Sequence, residues 1–586
     1  MMKVMKRYAA AALLAAATAW TSGAQNLNPT VEVTNQFEGK VMEVTKPVVG
    51  MAVPDSLLRF DLEFDYSVFD TPYKGTYEFS PYLLDMKPRP DAWRGSTLYL
   101  RLGAGYAPHP TADIVYSPEL SGPFQINVYG MHRSYLGKYK VRLGEYEDDW
   151  TGYDLLSRAG VDGRYDYSSG AFSFDVGYYG IHTKQDDRTS GYNAFDVKLR
   201  AQSFMDARNT FYYDVTTAFR GASDSYSAPD KLKTFDFGLD ATAGPVFGDH
   251  AVLADMHVGI NTYGGLFSSR TGLVSVVPKY VWNSDRLRIA AGVRFSAVLR
   301  SEEPWMGHAL AGRKGQFVYP DVRIGYEAVT DRLNLYASAT GGDHVRTYAE
   351  LKEDHHFYNP YFGCGEVPLT DNSVERVRFA LGAQGNIASK FRYDVRLGWL
   401  YMAGGMVDAV RPVRADLAAG APSDPADDDD ADAPSGNPGR PSVTAGLMPS
   451  VAYEDYGLFF AHVSFAYDGR PVAVDGGLRF GRPTTGPLEQ GFAPASTGWL
   501  KLTYNKMDRI LAGVRAEGAL KRPAGTAWGD LHIPGYVDLG LFGEYAVTPH
   551  LSLWLRADNL LNMNIQPHPL YPCGGISFTG GIIFSL

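Results

Sequence analysis

From about residue 96 to residue 586 the chain is a succession of alternating apolar and polar segments of roughly ten residues, joined by connections that are short, then long, then short again. The last segment is the clearest. Ile576, Phe578, Gly580, Ile582, Phe584 and Leu586 alternate with Ser577, Thr579, Gly581, Ile583 and Ser585. A period of two puts successive side chains on opposite faces of a β-strand, so each segment has one greasy face and one small or polar face. Such strands suit a membrane barrel with lipid on one side and an aqueous lumen on the other.

Residues 286–300 separate cleanly. Leu287, Ile289, Ala291, Val293, Phe295, Ala297 and Leu299 share one face, opposite Arg288, Arg294 and Ser296. In residues 391–403 the outward set is Phe391, Tyr393, Val395, Leu397, Trp399 and Tyr401, opposite Arg392, Asp394 and Arg396. Residues 195–202, 472–479 and 551–558 behave alike. A charge on the lipid face costs about 2–4 kcal/mol at the midplane, which gives this segregation an energetic cause. A soluble β-sandwich also hides one apolar face, but the number and length of these strands and the aromatic load exceed one.

Turn-forming residues mark very short connections at 167–170, 283–285, 330–331, 388–390, 468–470, 505–508 and 548–550. Longer polar stretches lie between them at 134–152, 221–232, 300–314, 341–373, 404–441, 481–493 and 521–534. In outer-membrane barrels short turns are periplasmic and long loops face outward. Counting back from a periplasmic C-terminus, the two kinds fall on consistent sides only if residues 443–467 form one long strand. The expectation is an all-β transmembrane antiparallel barrel of about 22 strands, beginning near residues 97–106.

Composition agrees with one large β architecture: aromatics are 13%, with 38 Tyr, and Gly numbers 63. No apolar run in the mature chain reaches the roughly 18 residues of a spanning helix. At the N-terminus, Lys3, Lys6 and Arg7 precede an apolar run at residues 8–20 and the small residues Ser22, Gly23 and Ala24, so residues 1–24 read as a secretory signal. Net charge is −10, which gives no support for nucleic-acid binding. No motif points to a cofactor.

Cys364 and Cys573 both fall in outward loops. A disulfide between them would tie two loops over the mouth; two separate thiols are the alternative. The loop holding Asp424, Asp427–Asp430 and Asp432 reads as a solvated acidic run without the ligand spacing of a calcium loop. His344, Glu350, Asp354, His355, His356 and Tyr358 are metal-capable residue types without regular ligand spacing. Strand histidines His132, His182 and His257 raise a barrel-enzyme reading, but no motif selects a nucleophile, and the chain reads as a non-enzyme. Candidate lumen-lining residues are Arg101, Arg200, Arg288, Arg294, Arg376, Arg378, Arg396, Arg479, Arg515 and Arg556. They are countered by Asp196, Asp394, Asp475, Glu517, Asp538, Glu544 and Asp558. They read either as a paired polar wall or as a basic-leaning conduit for anions.

A barrel this wide needs a plug, yet residues 25–95 are a short, Pro- and Tyr-rich extended segment, periplasmic or lumen-inserted and not a full plug. The strand count, residues 60–82 (FDLEFDYSVFDTPYKGTYEFSPY), residues 556–562 (RADNLLN) and the closing strand resemble TonB-dependent-receptor-type barrels, in a subgroup lacking the full plug. The resemblance covers the barrel, residues 96–586. It implies a Gram-negative outer-membrane location and passage or reception of a solute or ligand. Thr30-Val31-Glu32-Val33-Thr34 is similar to the box through which that family contacts TonB. The competing expectation is a non-transporting scaffold or accessory subunit of an export or assembly complex, docking a periplasmic or lipoprotein partner through residues 25–95.

Overall fold

The structure, a computed structural model, describes residues 97–586 apart from 107–108, 121, 186–187, 205–209, 227–230, 267, 301–316, 359–371, 389, 413–446, 486–495, 508, 524–530 and 572–573. The signal segment, residues 25–95 with Thr30–Thr34, the acidic run at 424–432 and both cysteines lie outside the described residues.

The strands in chain order are β1 Leu98–Tyr106, β2 Thr111–Tyr116, β3 Phe124–Leu143, β4 Tyr146–Tyr167, β5 Gly170–Gln185, β6 Arg188–Ser203, β7 Phe211–Tyr226, β8 Lys231–Phe247, β9 His250–Gly265, β10 Ser269–Asn283, β11 Leu287–Arg300 and β12 Val318–Val329. They continue as β13 Leu333–Val345, β14 Asn372–Ile387, β15 Phe391–Pro412, β16 Leu447–Asp468, β17 Val472–Thr485, β18 Thr497–Lys506, β19 Ile510–Ala519, the small hairpin β20 Arg522–Pro523 and β21 His532–Ile533, β22 Tyr536–Thr548, β23 Leu551–Asp558 and β24 Ser577–Ser585. Apart from the hairpin, 22 strands pair antiparallel in one sheet. It closes on itself because β1 pairs with β24, from Tyr99 opposite Ser585 to Tyr106 opposite Phe578. Closure leaves no unpaired sheet edge, the condition for a sheet in lipid.

The stretch read as one long strand is one strand, β16, beside β15. Alternation also holds in space. Phe195, Leu299, Leu381, Leu478 and Leu555 are 56–70% exposed on the outer face, while Asp196, Lys198 and Arg200 occupy the other face of β6. An outer surface this rich in exposed Leu, Phe and Val is stable only against lipid. Among the described residues no helix is long and apolar enough to cross a membrane.

The expected loops at 134–152, 221–232, 404–441 and 481–493 need correction. Pairing of β3 with β4 runs without a break to Leu143 opposite Tyr146, and β7, β8, β15 and β17 likewise enter their stretches as strand. Backbone pairing does not need an apolar face, so the polar residues that end the lipid belt do not end the strand. The wall is therefore uneven in height. β3 and β4 have 20 and 22 residues, whereas β1 and β23 have 9 and 8. Bulges at Thr340/Gly342, Glu375/Val377 and Met402/Gly405 recur in three successive strand pairs, below the upper parts of β15 and β16. Bulges bend the strands that carry them.

Several inward rings pack against glycines one or two strands away. A Cβ on Gly103 would sit 2.2 Å from Trp554, on Gly477 2.3 Å from Trp499, and on Gly513 2.3 Å from Phe542. Only a residue without a side chain leaves room for such a ring.

Candidate functional site: a seal at the outer mouth

The connection after β13 folds inward. Thr347 begins the only helix among the described residues, α1 (Tyr348–Asp354), with a reciprocal cap: the Glu350 N–H donates to Thr347 Oγ1 at 3.2 Å and the Thr347 N–H donates to Glu350 Oε2 at 3.0 Å. Ala, Leu, Lys and Glu favour the helix that this cap starts. Its buried residues Tyr348, Ala349, Leu351 and Lys352 fall at i, i+1, i+3 and i+4, one face of the helix.

That face meets the wall. Tyr348, Leu351 and Tyr358 join Met131 of β3, Leu156 of β4, Ile181 of β5, Tyr192 of β6, Leu232 of β8, Tyr263 of β9, Met406 of β15 and Val451 of β16 in one buried apolar cluster. A single short helix thus gathers strands from around the mouth. Polar anchors orient it. Lys352 Nζ lies 3.2 Å from Asp224 and donates to Ser190 Oγ at 3.0 Å and to the Tyr358 carbonyl at 2.7 Å. The Tyr348 hydroxyl donates to the same Asp224. Burial pushes the Lys352 ammonium below its ordinary pKa, and Asp224 opposes that shift. Arg220 on β7 joins Asp196 of β6 to Glu353 of the helix.

The last connection, between β23 and β24, closes the seal. Asn559, at positive φ, ties its base: its amide nitrogen donates to the Met563 carbonyl at 2.9 Å and the Gly574 carbonyl at 3.2 Å, and its oxygen accepts from the Met563 N–H at 2.9 Å. His355 accepts the Phe357 N–H on Nδ1 at 3.2 Å, which leaves the proton on Nε2 to donate to the Pro569 carbonyl at 3.1 Å. Tyr571 packs on His355 and Phe357, with ring centroids 4.9 and 6.1 Å away. Burial, reinforced by nearby His568, pushes the His355 pKa down to about 3. His568 and His356 meet Asp408 at 2.7 Å and Asp154 at 2.8 Å.

A second apolar cluster joins Tyr139, Val141, Leu143 and Trp150 of the tall β3–β4 hairpin to Val410, Ile533 and Leu570. Arg522 of the small hairpin donates to the Gln566 and Pro567 carbonyls. Among the described residues, connections at this end thus interlock through apolar cores of their own. Among the described residues no group of three or more His, Cys, Asp or Glu is placed to hold a metal ion.

The candidate lumen arginines are not brought together at one point. Arg200 pairs with Asp214 at 2.7 Å, Arg294 with Asp321 at 3.0 Å, Arg378 with Glu375 at 2.7 Å and Arg396 with Asp394 at 3.5 Å. Arg515 lies 3.0 Å from Asp538 and 3.2 Å from Asp558, which also takes Arg556 at 2.8 Å. Arg101 stacks 4.0 Å from the Trp554 ring centroid and Arg479 5.2 Å from that of Trp499. Arg288 is opposite Asn283 and Gly325 on β11, and Arg376 is exposed at the β14 bulge. Most of these arginines form a charge-paired wall.

Reading residues 341–373 as an outward polar loop missed Tyr348, Leu351 and Lys352, and named Tyr358 only as a metal-capable residue type. The signal was present: a Thr-x-x-Glu cap ahead of apolar residues at helical spacing.

No protein-family model matches the chain, and neither does any curated protein sequence. Solved structures do match. A structure titled copper transporter OprC is 13% identical with a TM-score of 0.58, covering 84% of this chain and 80% of that one. The FrpB iron transporter from Neisseria meningitidis (F3-3 variant) is 9% identical at 0.59, with 84% and 82% covered. The ferripyoverdine receptor of the outer membrane of Pseudomonas aeruginosa is 11% identical at 0.55, with 84% and 72% covered. At these identities the likeness is one of fold: a closed 22-strand antiparallel barrel.

Proposed function

We propose that this protein is an outer-membrane barrel for passage or reception of a solute or ligand, and that the seal at its outer mouth is the gate. The observation that carries the reading is a receptor-sized barrel whose outer connections fold inward and pack into their own apolar cores. A scaffold needs a rigid wall and nothing over the mouth. A gate needs an element that closes the mouth and can be released. The seal has that form, because α1 is held by side-chain contacts to the wall and carries no pairing of the barrel itself. The fold-level likeness to proteins titled as transporters and receptors of copper, iron and ferripyoverdine points the same way by analogy.

Planar-bilayer conductance tests it. The full chain is expected to be closed, and the double variant Tyr348→Ser, Leu351→Ser is expected to open, alone or together with removal of residues 25–95. A barrel that stays sealed in every form while remaining folded by heat-modifiability would overturn the gate reading.

A further inference from the structure

We infer that the lumen wall directly behind the seal binds a primary ammonium group, through Asp236 and Thr234 of β8 and Tyr192 of β6. In naming a class of solute the inference rests on the gate reading, but the site itself is tested without passage.

Three polar atoms carry it. Asp236 Oδ2, Thr234 Oγ1 and the Tyr192 hydroxyl are each shut off from solvent and find no hydrogen-bond partner among the described residues. Tyr192 is 0% exposed and Thr234 5%. The three share the inner face of neighbouring strands: on β7, Asp224 is opposite Tyr192, Ala222 opposite Thr234 and Arg220 opposite Asp236. The charges felt at the Tyr192 hydroxyl are those of Arg220, Glu353, Asp236 and Asp196. Leu232, the next inward residue above Thr234, belongs to the apolar cluster under α1, which sets the site one step behind the seal. Burying a polar atom without a partner is costly, and a carboxylate oxygen most of all, so such a group marks a missing partner.

The atoms select the partner's chemistry. A carboxylate oxygen only accepts and both hydroxyls can accept, so three acceptors face a missing donor. A primary ammonium has three N–H donors and the matching charge. The wall does not supply that group itself. Arg220 gives Nε and Nη2 to Asp196, at 2.6 and 2.9 Å, and Nη1 to Glu353. Lys352 is held by Asp224, Ser190 and Tyr358, and Lys198 stands opposite Asp175 of β5. Asn261, with its amide nitrogen turned to the carboxylate, donates to Asp236 Oδ1 at 3.1 Å and leaves Oδ2 open. A metal ion fits less well, since among the described residues no three His, Cys, Asp or Glu are placed to hold one.

Room for an organic body lies one step further down. Ala218, Gly238 and Gly259 follow one another across β7, β8 and β9 on the same face, and a Cβ on Gly238 would meet nothing within 4 Å. Below this recess the Asp240 side chain is 60% exposed to the lumen.

Isothermal titration of the full chain in detergent with butylammonium tests the site, beside the seal-opened double variant Tyr348→Ser, Leu351→Ser. Saturable binding is expected in at least one of the two forms. Asp236→Asn should weaken it about tenfold or more, as for loss of a charge-assisted hydrogen bond, and Thr234→Val about threefold. Thr234 bonds nothing in the closed protein, so that variant should keep the parent's heat-modifiability. Gly238→Leu, which fills the recess, should also weaken binding about tenfold. Asp475→Asn, at an exposed carboxylate on β17, should change it less than about twofold. No saturable binding in either form overturns the inference. So does an equal response to sodium or tetramethylammonium, which have no N–H donors, or an equal loss in Asp475→Asn. Conductance is read separately: a barrel that binds butylammonium yet stays sealed in every form refutes the gate and keeps the site.

Discussion

Lys352 on the mouth helix holds its ammonium 3.2 Å from the Asp224 carboxylate on the barrel wall, and neither side chain reaches solvent. Removing one member of such a pair strands the other charge, at a cost of about 3–5 kcal/mol, while replacing both by neutral groups is far milder. Asp224→Ala is therefore expected to release α1, seen as protease cleavage within residues 346–358 on whole cells while the barrel stays heat-modifiable. Lys352→Met in the same chain should restore protection. If Asp224→Ala is cleaved no faster than the parent, the pair does not hold the helix.

The seam between the two ends of the sheet makes a second prediction. Trp554 lies flat over Gly103, donates its indole N–H to the Leu102 carbonyl at 3.1 Å and carries Arg101 on its ring. A Cβ on Gly103 would sit 2.2 Å from the indole and 2.9 Å from Thr111 Oγ1, both too close. Gly103→Val should lower stability by about 1–3 kcal/mol through overpacking. Semi-native electrophoresis would show the folded band lost at a lower temperature. Adding Trp554→Ala should recover part of the loss, and no recovery would mean the strain lies elsewhere.

Acid should loosen the seal. In the closed mouth His355 is held neutral, its pKa pushed down to about 3 by burial, whereas in an opened loop it returns toward 6.5. The open form therefore binds the extra proton. Closure is fully favoured above about pH 6.5 and weakens as pH falls through the window from 6.5 to 3, by about 2 kcal/mol between pH 7 and pH 5. Cleavage within residues 346–358 should accelerate at pH 5, and His355→Asn should flatten that response. An equally steep response in His355→Asn would show that His355 is not the group whose protonation loosens the seal.

The barrel was legible because lipid imposes one rule on every strand. Leu397, Leu478 and Leu555 had to share a face free of charge, and a period of two displays that rule directly in the sequence. The long strand β16 was recoverable only from bookkeeping of sides, since its Glu454-Asp455 break looks like a turn. The seal was harder. Tyr348 contacts residues far away in sequence, its hydroxyl reaching Asp224 and its N–H reaching Tyr263, and no local pattern announces such partners. Loop polarity misled as well, because Lys352, His355 and His356 are buried with partners, and a list of residue types cannot distinguish that from exposure.

The same geometry bears on the two cysteines. Both lie outside the described residues, whose nearest members are Tyr358 and Asn372 around the first and Tyr571 and Gly574 around the second. His355 and Phe357, shortly before Cys364, pack against Tyr571, two residues before Cys573, and His355 donates to Pro569. The six residues from Tyr358 to Cys364 can span up to about 20 Å, ample to bring the two Cα atoms within the 4.4–6.8 Å that a disulfide needs. An exported chain also meets an oxidising compartment. Peptide mapping without reduction should therefore recover a peptide pair linked through Cys364 and Cys573. Because the link joins two connections that already interlock, reduction should open the seal without unfolding the barrel, again read as cleavage within residues 346–358. Alkylation of both thiols in the unreduced protein would sink the prediction. A linked pair whose reduction leaves cleavage unchanged would show instead that Lys352, His355 and the apolar cluster suffice to hold the mouth closed.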